Sequence, residues 1–191
     1  STTLVESSDD LVKVRLEKLA RIRARGIDPY PPRAERTHTS KEAISLFEAC
    51  ERPEDGDART ETVTVAGRMV GFRDMGRASF ADLLDGAGRI QLLFRSNVLS
   101  ESYEILEDLD IGDWLGATGP VFRTRAGEIT LEVQEFTLLC KSLRPLPEKW
   151  HGLADVEIRY RQRYLDLIAS EESRRIAILR SRMVSTIRRF M

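Results

Sequence analysis

The stretch from Met75 to Arg95 constrains the fold of this chain more than any other. It reads Met-Gly-Arg-Ala-Ser-Phe-Ala-Asp-Leu-Leu-Asp-Gly-Ala-Gly-Arg-Ile-Gln-Leu-Leu-Phe-Arg. Two apolar-rich runs, 78–84 and 89–95, flank Asp85-Gly86-Ala87-Gly88, which has the turn chemistry of a β-hairpin. Side chains alternate between faces along a strand. With Ala81, Leu83, Ile90, Leu92 and Phe94 in the core, Phe80 and Gln91 are predicted to point outward together. An outward ring can stack on an unpaired base, and a neighbouring amide, with donors and an acceptor, can read that base's edge. The plainer alternative is a core aromatic and a solvated glutamine.

Charge distribution bears on that choice. Net charge is −1, so bulk electrostatics do not mark a nucleic-acid binder. Between residues 63 and 95 the cations are Arg68, Arg73, Arg77, Arg89 and Arg95, all of the type suited to planar phosphate and base contacts. Across 63–140, however, 7 cations face 12 anions, six of them crowded into 101–113. A nucleic-acid surface here must be a local arginine patch kept apart from those acids. Residues 141–191 reverse the balance, with 12 cations against 6 anions.

No apolar run approaches the roughly 20 residues of a membrane span, and the start lacks a signal-peptide pattern. Cys50 and Cys140 lie far apart without metal-type spacing, and only His38 and His151 are available to join them. A reduced cytoplasmic protein with no structural zinc is expected, with no membrane partner.

In chain order, residues 1–8 are polar and expected to be disordered. A helix is predicted from Asp9 to Arg25, where Leu11, Val12, Leu19 and Ile22 follow helical spacing and Gly26 caps the end. Thr39-Ser-Lys-Glu42 is a capping-box pattern that opens a second, short helix, and 51–61 reads as a loop. Strands are predicted at 62–73, 78–84 and 89–95, then a helix at 100–109, then strands at 113–124 and 128–139. Three strands, a helix and two strands with hairpin turns match the OB-fold, a five-stranded partly open barrel whose second and third strands face single-stranded oligomers. The fold class expected is therefore mainly β with flanking helices. After a proline-stiffened linker at 143–147, helices are predicted at 155–168 and from Glu171 onward. The chain stops inside an apolar-periodic helix, as a piece of a longer protein would. The division expected is 1–60 helical extension, 61–142 barrel, and 143–191 linker and first helices of a further domain.

The residues also resemble a known family. Val65-Ala-Gly-Arg68, Met75-Gly-Arg-Ala-Ser-Phe80, Gly88-Arg-Ile-Gln91, Leu143-Arg-Pro-Leu-Pro-Glu-Lys-Trp-His-Gly-Leu153 and Arg159-Tyr-Arg-Gln-Arg-Tyr-Leu-Asp-Leu167 look like the amino-terminal region of bacterial-type, class II lysyl-tRNA synthetase. The resemblance implies that Phe80 stacks on the central anticodon base, a uridine, and that Gln91 hydrogen-bonds its edge. It implies that Arg68 and Arg73 line the same groove and that Glu128 contacts another anticodon base. Arg77, where lysine is more usual, and Arg89 are phosphate-contact candidates. Leu84 and Leu93 depart from the pattern, as apolar residues on the expected RNA face.

The implied partner is the anticodon loop of tRNA(Lys), and the implied homodimer forms through the carboxy-terminal helices, where Ser173 onward resembles the start of motif 1. The motifs that bind ATP, Mg²⁺ and lysine fall beyond Met191, so ATP and Mg²⁺ are expected only in the full-length enzyme. No residue present is expected to be catalytic or to bind metal, and the piece alone should not aminoacylate. Three alternatives stay open: a non-specific single-strand-binding OB module, the anticodon module of an aspartyl or asparaginyl relative, and an assembly module whose barrel merely packs.

Overall fold

The computed structural model describes residues 2–51, 58–145 and 156–191, with side chains from residue 10 onward. Most of the expected 51–61 loop, the end of the 143–147 linker and the expected helix start at Asp155 lie outside these residues. The chain forms two compact units, Ser1–Pro145 and Leu146–Met191.

In the first unit α1 (Thr2–Ala24) and α2 (Ser40–Cys50) precede the barrel. Helix α1 starts earlier than its apolar spacing predicts, because lengthening a formed helix costs far less than nucleating one. Gly26 ends it with φ 76°, a left-handed conformation open to glycine at little cost. Helix α2 opens on the expected capping box. The Thr39 hydroxyl accepts from the Glu42 N–H, and the Glu42 carboxylate accepts from the Thr39 N–H at 2.8 Å.

The barrel strands are β1 (Val63–Asp74), β2 (Ala78–Leu84), β3 (Arg89–Arg95), β4 (Trp114–Gly119), β5 (Val121–Arg123), β6 (Ile129–Glu132) and β7 (Glu135–Cys140), ordered β5-β6-β3-β2-β1-β4-β7. Five strands were expected; the last two are each broken in half. Pro120, which has no N–H to donate, divides β4 from β5. β4 pairs with β1 and β7, whereas β5 pairs with β6, and β6 runs parallel to β3. Each long strand thus serves both ends of the sheet, which curls it into the OB barrel. The crossing is so close at Gly119 that a Cβ there would meet the Glu132 carbonyl oxygen at 1.9 Å, so only glycine fits.

Val63, Val65, Met69, Ala81, Leu83, Ile90, Leu92, Phe94, Leu115, Val121 and Leu131 fill the barrel, and Ile22, Ala43 and Phe47 from the two helices plug it. The expected helix at 100–109 takes another form. A short helix α3 (Ser96–Leu99) ends at Ser100, where φ is 50°, and a 3-10 helix follows over Ser100–Asp108. The reason is spacing: Tyr103, Leu106 and Leu109 recur every third residue, and a threefold helix stacks them along one ridge against the core.

The second unit comprises α4 (Val156–Arg161), α5 (Arg163–Ala169) and α6 (Glu171–Phe190). The single helix expected over 155–168 is broken at Gln162 (φ −118°, ψ 57°). The break lets Arg159 and Arg163, one on each side of it, both reach the buried Asp166 carboxylate, at 3.1 and 2.6 Å. Ser170 caps α6 through its hydroxyl, which accepts from the Ser173 N–H. Ile176, Leu179, Met183 and Ile187 form a half-exposed stripe along α6.

Candidate nucleic-acid interface

The outer face of β1, β2 and β3 assembles most of the expected residues. Phe80 sits in β2, directly across from Arg73 of β1 and from Leu93 of β3. The Arg73 guanidinium carbon lies 6.0 Å from the centre of the Phe80 ring, within cation–π range. Phe80 is partly exposed and the predicted core residues are buried beneath it, as the alternation requires, with Leu93 alone of the outward set buried as well.

Arg73 reaches this face through an irregularity. Val63, Val65 and Met69 point inward, and strict alternation would send Arg73 inward with them. The β1–β2 register shifts between Met69 and Gly71. That one-residue bulge reverses the phase and turns Arg73 outward beside Phe80.

Gln91 lies diagonal to Phe80, across from Asp82 on one side and Thr130 of β6 on the other. Its Oε1 accepts a 2.9 Å hydrogen bond from the Thr130 hydroxyl. Arg89 is exposed on the same face and is held by Asp82 at 2.5 Å, which offsets part of its charge. Arg77 is exposed in the β1–β2 turn. That turn is pinned where the Tyr103 hydroxyl bonds the Gly76 carbonyl at 2.7 Å and Ser79 at 2.8 Å. Glu128 is exposed just before β6.

Arg68 is separate from this group. It pairs with Leu84 and Trp114 at the other end of the β1 ladder, four ladder steps from Arg73. Its guanidinium lies 5.1 Å from the Trp114 ring centre and donates to the Gly112 carbonyl at 3.1 Å. Burial there pulls its pKa below the usual arginine value. The structure therefore brings Arg73, Phe80 and Gln91 together and holds Arg68, partly exposed, against Trp114 and the Gly112 carbonyl.

Of the six acids of 101–113, Asp108, Asp110 and Asp113 are tied closely to cations, while Glu101, Glu104 and Glu107 are exposed. Asp108 pairs with Arg21 at 2.7 Å, and Asp110 with Lys18 at 2.8 Å. Lys141, fully buried, spans Asp110 at 2.5 Å and Asp113 at 2.8 Å. Leu93 is buried, so this apolar residue presents little surface to a ligand. Leu84 stays partly exposed.

Sequence reasoning missed Thr130, the β6 neighbour of Gln91, and two groups that lie beyond it. Thr130 is buried; Phe122 lies across from it in β5; and Arg59 sits 5.1 Å from the Phe122 ring centre and pairs with Glu132. No local pattern marks Thr130, because it meets Gln91 only through the parallel β3–β6 pairing.

A family model described as an OB-fold nucleic acid binding domain matches residues 63–139. Proteins named lysine–tRNA ligase match nearly the whole chain. That of Carboxydothermus hydrogenoformans is 53% identical over 184 residues, covering 96% of this chain and 36% of that protein. Those of Moorella thermoacetica and Bacillus subtilis are 50% and 46% identical, covering 98% and 97% of this chain and 37% of each protein. The chain belongs with the lysyl-tRNA synthetases. It spans little more than a third of the length of these relatives. In this lysyl-tRNA synthetase segment the matched domain begins at the first residue of β1 and ends one residue before the close of β7, so match and barrel coincide. Among the described residues no helix is long and apolar enough to cross a membrane.

Proposed function

We propose that the barrel reads the anticodon of tRNA(Lys), and that the whole protein uses this contact to attach lysine to that tRNA with ATP. The observation that carries the reading is the Arg73–Phe80–Gln91 group on the outer face of β1–β3. It offers a ring for a central uridine to stack on, a cation beside the ring and an amide diagonal to it. Anticodons for lysine are rich in uridine, which suits a stack plus an amide. Glu128, next to β6, is assigned to a neighbouring anticodon base, and Arg77 and Arg89 to phosphates. Arg68 shapes the far end of the groove.

On this reading residues 1–60 are a helical extension, 61–142 the anticodon-binding barrel, and 143–191 a linker with the first helices of the catalytic domain. The α6 stripe is the proposed homodimer face of the whole protein, which acts in the cytoplasm. Among the described residues no three His, Cys, Asp or Glu side chains cluster to hold a metal ion. ATP and Mg²⁺ are assigned to the remainder of the protein, and the segment alone is expected not to aminoacylate.

The test is a titration of the chain with a UUU anticodon stem-loop, repeated with the central uridine changed to cytidine. The expected result is a loss on the order of 1–3 kcal/mol for the change. Equal binding of both loops would overturn specific reading and leave a general single-strand binder.

A further inference from the structure

We propose that Thr130 is a positioning residue for base choice: its hydroxyl locks the Gln91 amide so that the NH₂ group, not the carbonyl, faces the base. The inference rests on the reading of Gln91 as a base-contacting residue and extends it to the group that decides which base fits.

Gln and Asn amides can flip, exchanging a donor edge for an acceptor edge, so an unanchored amide accepts either kind of base edge. Gln91 is anchored. β3 and β6 run parallel with Gln91 directly beside Thr130. The Thr130 hydroxyl has one proton and two acceptors near it, Gln91 Oε1 at 2.9 Å and the Glu128 carbonyl at 3.3 Å. The proton goes to the closer acceptor, the amide oxygen, whereas a flipped amide would send it to the more distant Glu128 carbonyl. Thr130 is completely buried, so water cannot replace its hydroxyl. Phe122 lies across from it on the β5 side. Arg59, drawn to Glu132 and resting near the Phe122 ring, borders the same side.

With its oxygen engaged, Gln91 offers two N–H donors to the groove. An N–H that meets the O4 carbonyl of uracil at this point would meet the amino group of cytosine, donor against donor. The anchored flip thus favours uridine over cytidine, whereas a free amide would tolerate both.

The experiment compares binding of stem-loops with central uridine and central cytidine by the 191-residue chain and its variants, with a melting curve for each. Thr130→Val keeps the shape and removes the hydroxyl. The uridine-to-cytidine affinity ratio is expected to fall by up to about tenfold, the worth of one hydrogen bond, with a smaller change in uridine-loop affinity. Thr130→Ser should retain the wild-type ratio. If Thr130→Val does not fold, Thr130→Cys, with its weak donor, replaces it and should give an intermediate ratio. An unchanged ratio in Thr130→Val, while Gln91→Ala abolishes it, overturns the positioning role and leaves base reading intact. A wild-type chain that binds both loops equally overturns base reading itself, and the positioning role with it.

Discussion

Arg73 lies directly across the β1–β2 ladder from Phe80, with its guanidinium carbon 6.0 Å from the ring centre. The cation shares the ring's outer face only because β1 carries a bulge between Met69 and Gly71. On the proposed reading, ring and charge together form the platform on which a base stacks beside a cation that meets its phosphate.

Phe80→Ala should weaken binding of a UUU stem-loop by about 1–3 kcal/mol, the usual worth of one base–aromatic stack. Phe80 is outside the buried core, so the thermal midpoint should move little. Isothermal titration with a parallel melting curve checks both.

Arg77→Gln and Arg89→Gln should differ in their salt response. Arg77 stands exposed in its turn, whereas Arg89 already pairs with Asp82. Removing Arg77 should lower the slope of log K against log salt by about one contact, and removing Arg89 by less. Binding measured at several salt concentrations decides it, and equal slope changes would contradict the pairing argument.

Gly119→Ala should be severely destabilising, on the order of 3–5 kcal/mol, because its Cβ would fall 1.9 Å from the Glu132 carbonyl oxygen. The neighbour is backbone and cannot swing aside. Urea unfolding should show a lower midpoint, and near-wild-type stability would contradict the tight crossing.

Acid should loosen the two joints that hold the helices to the barrel. At Asp85 burial pushes the carboxyl's pKa up, but hydrogen bonds from the Ser40 N–H and hydroxyl and from the Ala87 and Gly88 N–H groups outweigh it, and the net shift is downward. Asp110 is likewise opposed by burial and lowered by Lys141 and Lys18. A carboxyl lowered in the folded state adds stability that is fully present above the ordinary aspartate value of 3.8 and is lost as pH falls below it. Stability should therefore decline through that acid range, and Asp85→Asn should lose about 1–2 kcal/mol at neutral pH and show a shallower acid decline. Chemical unfolding across pH measures both.

Lys141→Met should cost about 3–5 kcal/mol, because it leaves Asp113 buried without its cation. Replacing Lys141 by Met and Asp113 by Asn together, which leaves Asp110 its Lys18 and keeps an acceptor beside the Asp110 and Ser142 N–H groups, should cost less than that single change, since the unpaired charge carries the penalty. Denaturant midpoints of the two variants provide the comparison.

Local chemistry in the sequence determined the hairpin around Asp85, the capping box at Thr39, the cap at Gly26 and the outward placing of Phe80 and Gln91, because each depends on residues within a few positions of one another. The family resemblance on Met75–Phe80 and Gly88–Gln91 was likewise legible from contiguous residues. Pro120 marks one strand break locally, but only the tertiary structure decided that the chain exchanges partners there and before β7 to close the barrel. It alone decided that 100–108 winds as a 3-10 helix, since the third-residue ridge is selected by the core it packs on. Arg68 is drawn to Trp114 and Gly112, and Thr130 is set against Gln91, by pairings between residues tens of positions apart. The alternation of β1 by itself points Arg73 inward; one extra residue in the ladder turns it out, because a shift of one in a twofold repeat sends every later side chain to the other face.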